Sequence, residues 1–266
     1  MIREITLGQY YKTESVVHRL DPRTKLILTF AYILSLFINT NIYTYIAAFL
    51  VLTITIVLCR VPLKFILRGM KAIIILMIVT VLFNMFLIEG DVIFKWWALK
   101  VTRQGLVNAG FMIARLIMLV LGSSIMTLTT TPNNLADGME SVMKPLKIFK
   151  VPVHEMAMMM SIALRFIPIL MDETDKIMKA QLARGADFES GNLIKRTKSL
   201  LPVLIPLFVS AFRRAGDLAM AMEARCYRGG NGRTKMKPLK YAMRDYVAYA
   251  LCIVYFLFVI FSKKMF

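Results

Sequence analysis

The stretch IYTYIAAFLVLTITIVLC, residues 42–59, carries no charged side chain and decides the fold class of this chain. As a helix rising about 1.5 Å per residue, it is about long enough to cross the ~30 Å hydrocarbon core of a bilayer. Ala72 to Ile88 is a second uncharged stretch of the same kind. Because a soluble basic protein would not carry such runs, the sequence predicts an all-α, polytopic integral membrane protein.

Three further segments bring the prediction to about five transmembrane helices. Leu26 to Ile38 precedes the first stretch across a short polar turn, and its length alone favours a re-entrant or core helix. Lys25 can snorkel, however, and flanking residues extend the segment to a short crossing, so both interpretations stay open. Gly105 to Thr130 and Tyr246 to Phe261 supply the fourth and the last spans.

The charge of the chain predicts its orientation in the membrane. There are 34 Lys and Arg residues against 16 Asp and Glu, a formal net charge of +18. No soluble domain remains to bind a nucleic acid, so the surplus favours membrane topology and an anionic lipid surface. The proposed outer side holds only five of the basic residues: Lys95, Lys100, Arg103, Lys263 and Lys264. The positive-inside rule therefore predicts a multi-pass protein of a bacterial-type cell membrane, with a cytoplasmic N-terminus and an outer C-terminus.

Residues 132–240 divide the chain, because they are rich in apolar residues yet too charged to cross a membrane. We predict an N-terminal membrane region of about four helices at 1–131, a cytoplasmic region at 132–240 and a C-terminal transmembrane helix at 241–266. The cytoplasmic region is predicted to contain three amphipathic helices: Leu135 to Phe149, Val151 to Ala183, and Leu200 to Arg225. Prolines within the last two are points where these helices could bend: Pro168, Pro202 and Pro206.

The last two of these helices end alike, in Ala183-Arg184-Gly185 and Ala224-Arg225-Cys226, 41 residues apart. An arginine at a helix C-terminus has an ordinary explanation, because it offsets the negative end of the helix dipole. The repetition favours a different interpretation. Small neighbours let a helix tip enter a groove, and a guanidinium offers a fork matched to carboxylates. We therefore predict that the two tips form a paired docking site on one side of the membrane.

A methionine-rich segment lies near the start of the second amphipathic helix. Met156, Met158, Met159 and Met160, with Met171 and Met178 farther along the helix, could form a soft-metal thioether site. Such a stripe is more often an adaptable apolar surface that repacks against different partners, and we favour that interpretation.

Arg115 lies well inside the fourth predicted span, where a charge is costly. It is a functional candidate by position, and a structural arginine paired with a neighbouring helix is an equally good interpretation. The sequence names no partner for it.

Motifs of catalysis and of metal binding are incomplete. His154-Glu155 lacks the second histidine of HExxH, because Met158 stands there. Neither a GxxxxGK[ST] phosphate loop nor a GxSxG nucleophile motif occurs, and the three cysteines have no paired spacing. We predict no catalytic residue, no metal site and no bound cofactor.

In its order of motifs the chain resembles the transmembrane T component of energy-coupling factor (ECF) transporters, the EcfT/CbiQ-type family. The resemblance covers most of the chain and rests on these segments: SVVHRLDPRTK at 15–25, TTTP at 129–132, ALRFIP at 163–168, AQLARG at 180–185 and AMEAR at 221–225. Cys226 departs from the family pattern, which has glycine there.

The resemblance implies a coupling role. Such proteins join two cytosolic ATP-binding-cassette ATPases, which use the ATP, to a membrane S component that captures a vitamin or a metal ion. Arg184 and Arg225 would be the coupling arginines, each docking into one ATPase with its small neighbours. The apolar backs of the helices, at Met156, Met159, Met160 and Pro168, would lie beneath the S component.

Two other classes remain as alternatives. A conventional ABC permease would form its own substrate path and would need no S component. A membrane-embedded enzyme would need a clustered set of His, Asp or Cys residues, which the sequence does not show. Copurification separates the three, because only an ECF component requires both ATPases and an S component.

Overall fold

The computed structural model describes residues 10–38, 41–70, 73–87, 91–96, 99–188, 192–229, 236 and 238–265. Helices dominate these residues: α1 Pro22–Ile38, α2 Ile42–Cys59, α3 Leu63–Arg68, α4 Ile74–Leu87, α5 Arg103–Thr129, α6 Pro132–Val142, α7 Val153–Ala183, α8 Leu193–Ser199, α9 Leu201–Ala224 and α10 Met243–Met265. A 3₁₀ turn, Lys144–Phe149, and two short strands complete the described structure. The predicted all-α class is confirmed.

The chain divides into two compact units. One contains the described residues of Gly8–Ser141 and Leu239–Phe266, and therefore helices α1 to α6 with α10. The other contains Val142–Pro238, and therefore the 3₁₀ turn with α7, α8 and α9.

Helix α5 is the centre of the first unit, where it packs against α1, α2, α3 and α4. Its small residues permit this close packing. A Cβ at Gly122 would lie 2.9 Å from the ring of Tyr32 on α1, so a larger residue would force the two helices apart. Leu36, Leu52 and Met118 are buried in the core that these helices form.

Polar side chains fasten α10 to the N-terminal helices. Ser35 Oγ on α1 and Tyr255 OH on α10 share a hydrogen bond of 2.8 Å. The hydroxyls of Thr44 and Ser262 lie 3.4 Å apart and join α10 to α2 in the same way. Because such groups are costly to bury unpaired, these contacts fix which faces of the helices meet.

Four helices of the described chain are long and apolar enough to cross a membrane: Ile42–Cys59, Arg103–Thr129, Val153–Ala183 and Met243–Ser262. Three of them match predicted spans, and the third predicted span corresponds to a shorter apolar helix at Ile74–Met85. Helix α1 has 17 residues, so its full crossing stays a prediction. Apolar side chains are exposed on these helices, as contact with lipid requires: Val57 of α2 is 70% exposed and Ile75 of α4 is 74% exposed.

Helix α7 is the one candidate that matches no predicted span. We expected all of 132–240 to be too charged to cross a membrane, and α7 contradicts that expectation. Its charges are unevenly distributed. The half before Pro168 carries only Glu155 and Arg165, whereas Asp172 to Lys179 holds five charged side chains. The average over the whole region therefore concealed an apolar first half.

A β-hairpin lies between α4 and α5, where we predicted no strand. Strands β1 Val92–Trp96 and β2 Leu99–Thr102 pair antiparallel, with Val92 opposite Thr102 and an irregularity after Val92. Thr102 also starts α5, because its hydroxyl accepts a hydrogen bond of 3.1 Å from the Gly105 N–H.

The first predicted amphipathic helix, 135–149, is wrong in its extent. The structure instead has α6, which ends at Val142, followed by the 3₁₀ turn Lys144–Phe149. Pro145 explains the break, because proline lacks an N–H and disfavours helical backbone in the residue before it.

Residues 11–25, which include the segment SVVHRLDPRTK, close the free C-terminal end of α5. The Tyr11 N–H donates to the Leu128 carbonyl at 2.9 Å, and Lys25 Nζ donates to the Thr129 carbonyl at 2.8 Å. His18 Nε2 lies 3.1 Å from the Tyr11 carbonyl, and Nδ1 lies 2.7 Å from Ser15 Oγ. The last carbonyls of a helix have no partner within it, so this segment satisfies them.

Asp245 of α10 ties the same segment to the C-terminal helix. Its side chain is buried, and it accepts hydrogen bonds from the Asp21 N–H at 2.9 Å and from the Ala242 N–H at 2.8 Å. A carboxylate at the start of α10 also suits the positive end of that helix. One buried carboxylate therefore holds the starts of α1 and α10 together.

Candidate functional site

The candidate docking site lies on α7 and α9, which pack against each other. A cavity of about 280 Å³ lies between them, lined by Phe166 and Leu170 of α7 and by Ala215 and Leu218 of α9. Small alanines on α9 let the two helices approach, and larger apolar side chains on α7 face them. The pair can therefore act as one packed element.

An ion pair joins the two helices beside this cavity. Arg214 Nη2 lies 3.0 Å from Glu173 Oε2, and Arg214 Nε lies 3.4 Å from Ser210 Oγ. The side chains of Glu173 and Arg214 are 23% and 39% exposed, so the pair is only partly shielded from solvent. No local sequence pattern indicates this contact, because its partners are 41 positions apart and on different helices.

The first predicted tip ends α7 in a tight cap. Arg184 is the last residue before the backbone reverses, and Gly185 adopts φ +86°. The Gly185 N–H donates to the Leu182 carbonyl at 3.0 Å, and the Ala186 N–H donates to the Gln181 carbonyl at 3.0 Å. This is a Schellman cap, in which backbone groups satisfy the last carbonyls of the helix.

The second tip ends α9 with the same geometry. Cys226 occupies the left-handed position with φ +56°, and its N–H donates to the Glu223 carbonyl at 2.8 Å. The Tyr227 N–H donates to the Met222 carbonyl at 3.0 Å. Glycine would adopt this left-handed backbone at lower cost than cysteine. Replacement of the family's glycine by Cys226 therefore places a side chain at a position where the backbone favours glycine.

Both tips present their side chains to solvent. All six predicted docking residues are exposed: Ala183, Arg184, Gly185, Ala224, Arg225 and Cys226. Because the caps close through backbone groups, neither guanidinium is needed to satisfy a helix end. Within the described part of the chain, neither Arg184 nor Arg225 has a side-chain hydrogen bond or an ion pair. The arrangement can thus offer two forked cations to acidic partners.

The methionine segment forms one exposed face near the start of α7. Met156, Met159 and Met160 are 43%, 59% and 44% exposed. With about 100° of rotation per residue, they fall within roughly 100° of one another. Pro168 is also exposed, but it lies roughly 120° around the helix from Met156, outside this face. The structure therefore brings the three methionines together and places Pro168 apart.

Arg115, for which the sequence named no partner, lies among aromatic side chains of the first unit. Its Nε donates to the hydroxyl of Tyr45 at 2.9 Å, and its guanidinium lies 5.3 Å from the ring centre of Phe37. The Tyr45 ring is also near, at 6.0 Å. A cation over aromatic faces is stabilised without a carboxylate, so Arg115 joins α5 to α1 and α2.

The remaining candidate chemistry is scattered. Among the described residues no group of three His, Cys, Asp or Glu side chains could hold a metal ion. The cysteines are separate: Cys59 is buried, Cys226 is exposed and Cys252 is intermediate.

Comparison with known proteins agrees with the sequence resemblance. A family model described as cobalt transport protein, CbiQ, matches residues 13–236, more than half of the chain. The energy-coupling factor transporter transmembrane protein EcfT of Clostridium kluyveri is 54% identical over 95% of this chain and 94% of its own length. The EcfT proteins of Ruminiclostridium cellulolyticum and Bacillus subtilis are each 50% identical, over 100% and 92% of this chain and over 100% and 93% of their own lengths. The chain therefore belongs to the CbiQ/EcfT family, the transmembrane components of energy-coupling factor transporters.

Proposed function

We propose that this chain couples two cytosolic ATP-binding-cassette ATPases to a membrane S component that binds a vitamin or a metal ion. One observation carries the proposal: two packed helices end in exposed arginines on matched Schellman caps. Repeated geometry at two helix ends fits two copies of a similar partner. The relatives' printed name, transmembrane protein of an energy-coupling factor transporter, supports the same assignment.

Arg184 and Arg225 each dock one ATPase in this proposal. A guanidinium makes paired hydrogen bonds to a carboxylate, and such charge-assisted bonds are roughly twice as strong as neutral ones. The neighbours at each tip are small, so the backbone can enter a groove closely. Cys226 is still small, and docking therefore survives the change from glycine.

The motion passes along α7 and α9. ATPases closing on ATP would move the two tips, and the Glu173–Arg214 pair favours joint movement of both helices. Pro168 leaves the Leu164 carbonyl without its usual helical partner, which makes a point of bending. The face formed by Met156, Met159 and Met160 would contact the S component, because methionine adapts to different apolar partners.

The chain itself is a non-catalytic membrane subunit in this account and binds no cofactor. ATP is hydrolysed by the partner ATPases. We further propose the division into a membrane region at 1–131, coupling helices at 132–240 and a C-terminal membrane helix at 241–266, with the N-terminus cytoplasmic and the C-terminus outside.

Charge reversal at both tips tests the docking role. Arg184→Glu with Arg225→Glu should leave the chain in the membrane and release both ATPases, because each lost contact costs roughly 30- to several-thousand-fold in affinity. The measurement is pull-down of the ATPases from detergent extract, together with ATP-dependent uptake. Arg→Lys at both tips should be intermediate, because lysine keeps the charge and loses the fork.

A matched control carries the same charge change away from the tips. Arg165→Glu with Arg213→Glu alters two exposed arginines on the same two helices and should keep both ATPases. Normal retention by the tip variant, or equal loss in the control, would overturn the assignment of these two residues.

A further inference from the structure

A second cavity lies on the first unit. It has a volume of about 440 Å³ and follows one face of α2 from Phe49 to Arg60, closed by Leu63 of α3 and by Leu121 of α5. Phe49 and Val57 are 60% and 70% exposed along it. The cavity is therefore an open, apolar groove on a helix long and apolar enough to span the membrane.

The length of the groove matches one leaflet of a bilayer. The eleven helical steps from Phe49 to Arg60 rise about 16 Å, roughly half of the ~30 Å hydrocarbon core. A transmembrane helix of a partner would pack along the full depth of the membrane. A groove that stops halfway suits a single acyl chain better.

The surface end of the groove is basic. Arg60 lines the groove and is exposed at the end of α2, and Lys64 is exposed four positions farther along the chain, in α3. Among the residues that the structure describes, Arg60 forms no ion pair with an acidic side chain. Guanidinium and ammonium groups at a membrane surface bind the phosphates of anionic lipids.

We propose that this groove binds an anionic phospholipid. The phosphate contacts Arg60 and Lys64, and one acyl chain lies along α2 as far as Phe49. The charge selects the headgroup and the half-membrane length selects the chain. The inference does not depend on which proteins dock to Arg184 and Arg225.

The test uses the full chain in nanodiscs with a photoreactive acyl chain on phosphatidylglycerol or, in parallel, on phosphatidylcholine. Cross-linked peptides are identified by mass spectrometry. Phosphatidylglycerol should label residues 49–63 in preference to phosphatidylcholine. Each cation contributes about five-fold, so Arg60→Asn with Lys64→Gln should lower that labelling about twenty-five-fold. Asparagine is chosen because Arg60 has φ 53°, a backbone that asparagine tolerates.

Two further variants make the result specific. Lys150→Asn is the matched control, because Lys150 is also an exposed cation at φ 60° after a helical turn, and it should leave labelling unchanged. Thr53→Trp fills the groove from an exposed position and should abolish acyl labelling while Arg60 remains.

Three outcomes would overturn the proposal. The first is equal labelling by both lipids, and the second is equal loss of labelling in Lys150→Asn. The third is a photoreactive side chain at position 57 that cross-links to another polypeptide in native membranes, which would assign the groove to a protein partner.

Discussion

The two arginine tips show how a backbone cap can leave a side chain available for binding. In both caps, the backbone N–H groups of the two residues after the arginine satisfy the last carbonyls of the helix. An arginine at such an end is not required to pair with those carbonyls, although it still benefits from the helix dipole. The same local geometry therefore serves helix termination and, in our proposal, partner docking.

The left-handed residue of each cap leads to a stability prediction. Gly185→Ala should weaken the α7 cap by about 1 kcal/mol, because Ala at φ +86° is strained although open space surrounds the position. Cys226→Gly should strengthen the α9 cap by a similar amount. Hydrogen exchange of the amides of Ala186 and Tyr227 measures both effects.

A helical glycine on α9 provides the control for these substitutions. A Cβ at Gly216 also meets open space, but the backbone there is helical. Gly216→Ala should therefore raise the local stability of α9 by up to about 1 kcal/mol and slow its amide exchange. If Gly185→Ala increased amide protection from exchange as Gly216→Ala does, the prediction of a strained α7 cap would be wrong.

His18 lies in the N-terminal segment that closes the C-terminal end of α5, and it makes this closure dependent on pH. Burial lowers the pKa of His18 below its usual value, and the nearby Lys25 cation acts in the same direction. The folded pKa lies below the unfolded value of about 6.5, so the neutral ring stabilises the fold above that pH. This contribution is lost as the pH falls through the folded pKa.

Amide exchange of residues 15–20, corrected for intrinsic rates, should therefore accelerate between pH 7.5 and pH 5. In His18→Gln the corrected exchange should no longer depend on pH in this range. An unchanged pH dependence in that variant would show that another group opens the segment.

At the scale of elements, the sequence predicted what local pattern controls and missed what distant residues decide. The ends of α7 and α9 follow from the small residues at the two tips, and residues 42–59 follow from length and lack of charge. The Asp21–Asp245 hydrogen bond joins residues 224 positions apart, and no local periodicity indicates it. The β-hairpin before α5 also escaped prediction, since a short charged and aromatic connection carries little alternation.

The Glu173–Arg214 pair should couple α7 to α9. In a double-mutant cycle of Glu173→Gln and Arg214→Gln, we expect an interaction energy of about 0.5–1 kcal/mol, because the pair is partly exposed. Hydrogen exchange of α7 peptides measures this energy. Uptake should fall in both single variants while ATPase retention persists.

Asp172→Asn is the matched control, since Asp172 is exposed and adjacent to Glu173. It should change neither exchange nor uptake. An interaction energy of zero in the cycle would remove this pair from the account of joint helix movement.

At the scale of the whole molecule, the chain combines membrane helices with a pair of long helices that bear the proposed docking tips. Its membership in the EcfT/CbiQ family rests on similarity over nearly the full chain. For the tips to meet cytosolic ATPases, the segment between α6 and α10 must face the cytoplasm. Orientation is therefore a condition of the proposed function.

Labelling of single cysteines tests that orientation. In a cysteine-free background, an impermeant thiol reagent applied outside should reach cysteine at Asn41 and at Lys264, and should not reach cysteine at Asn192. Labelling of all three after permeabilisation is the control for accessibility. Labelling of position 192 in intact cells would reverse the orientation and remove the docking tips from the cytoplasm.

The number of ATPase subunits bound to the unaltered chain and to its tip variants tests the central claim most directly. Native mass spectrometry of nucleotide-free complexes avoids contacts that the ATPases make with each other on binding ATP. The account predicts two ATPase subunits on the unaltered chain, one on Arg184→Glu, one on Arg225→Glu and none on the double variant. Two subunits retained by either single variant would contradict the claim that each arginine tip docks one ATPase.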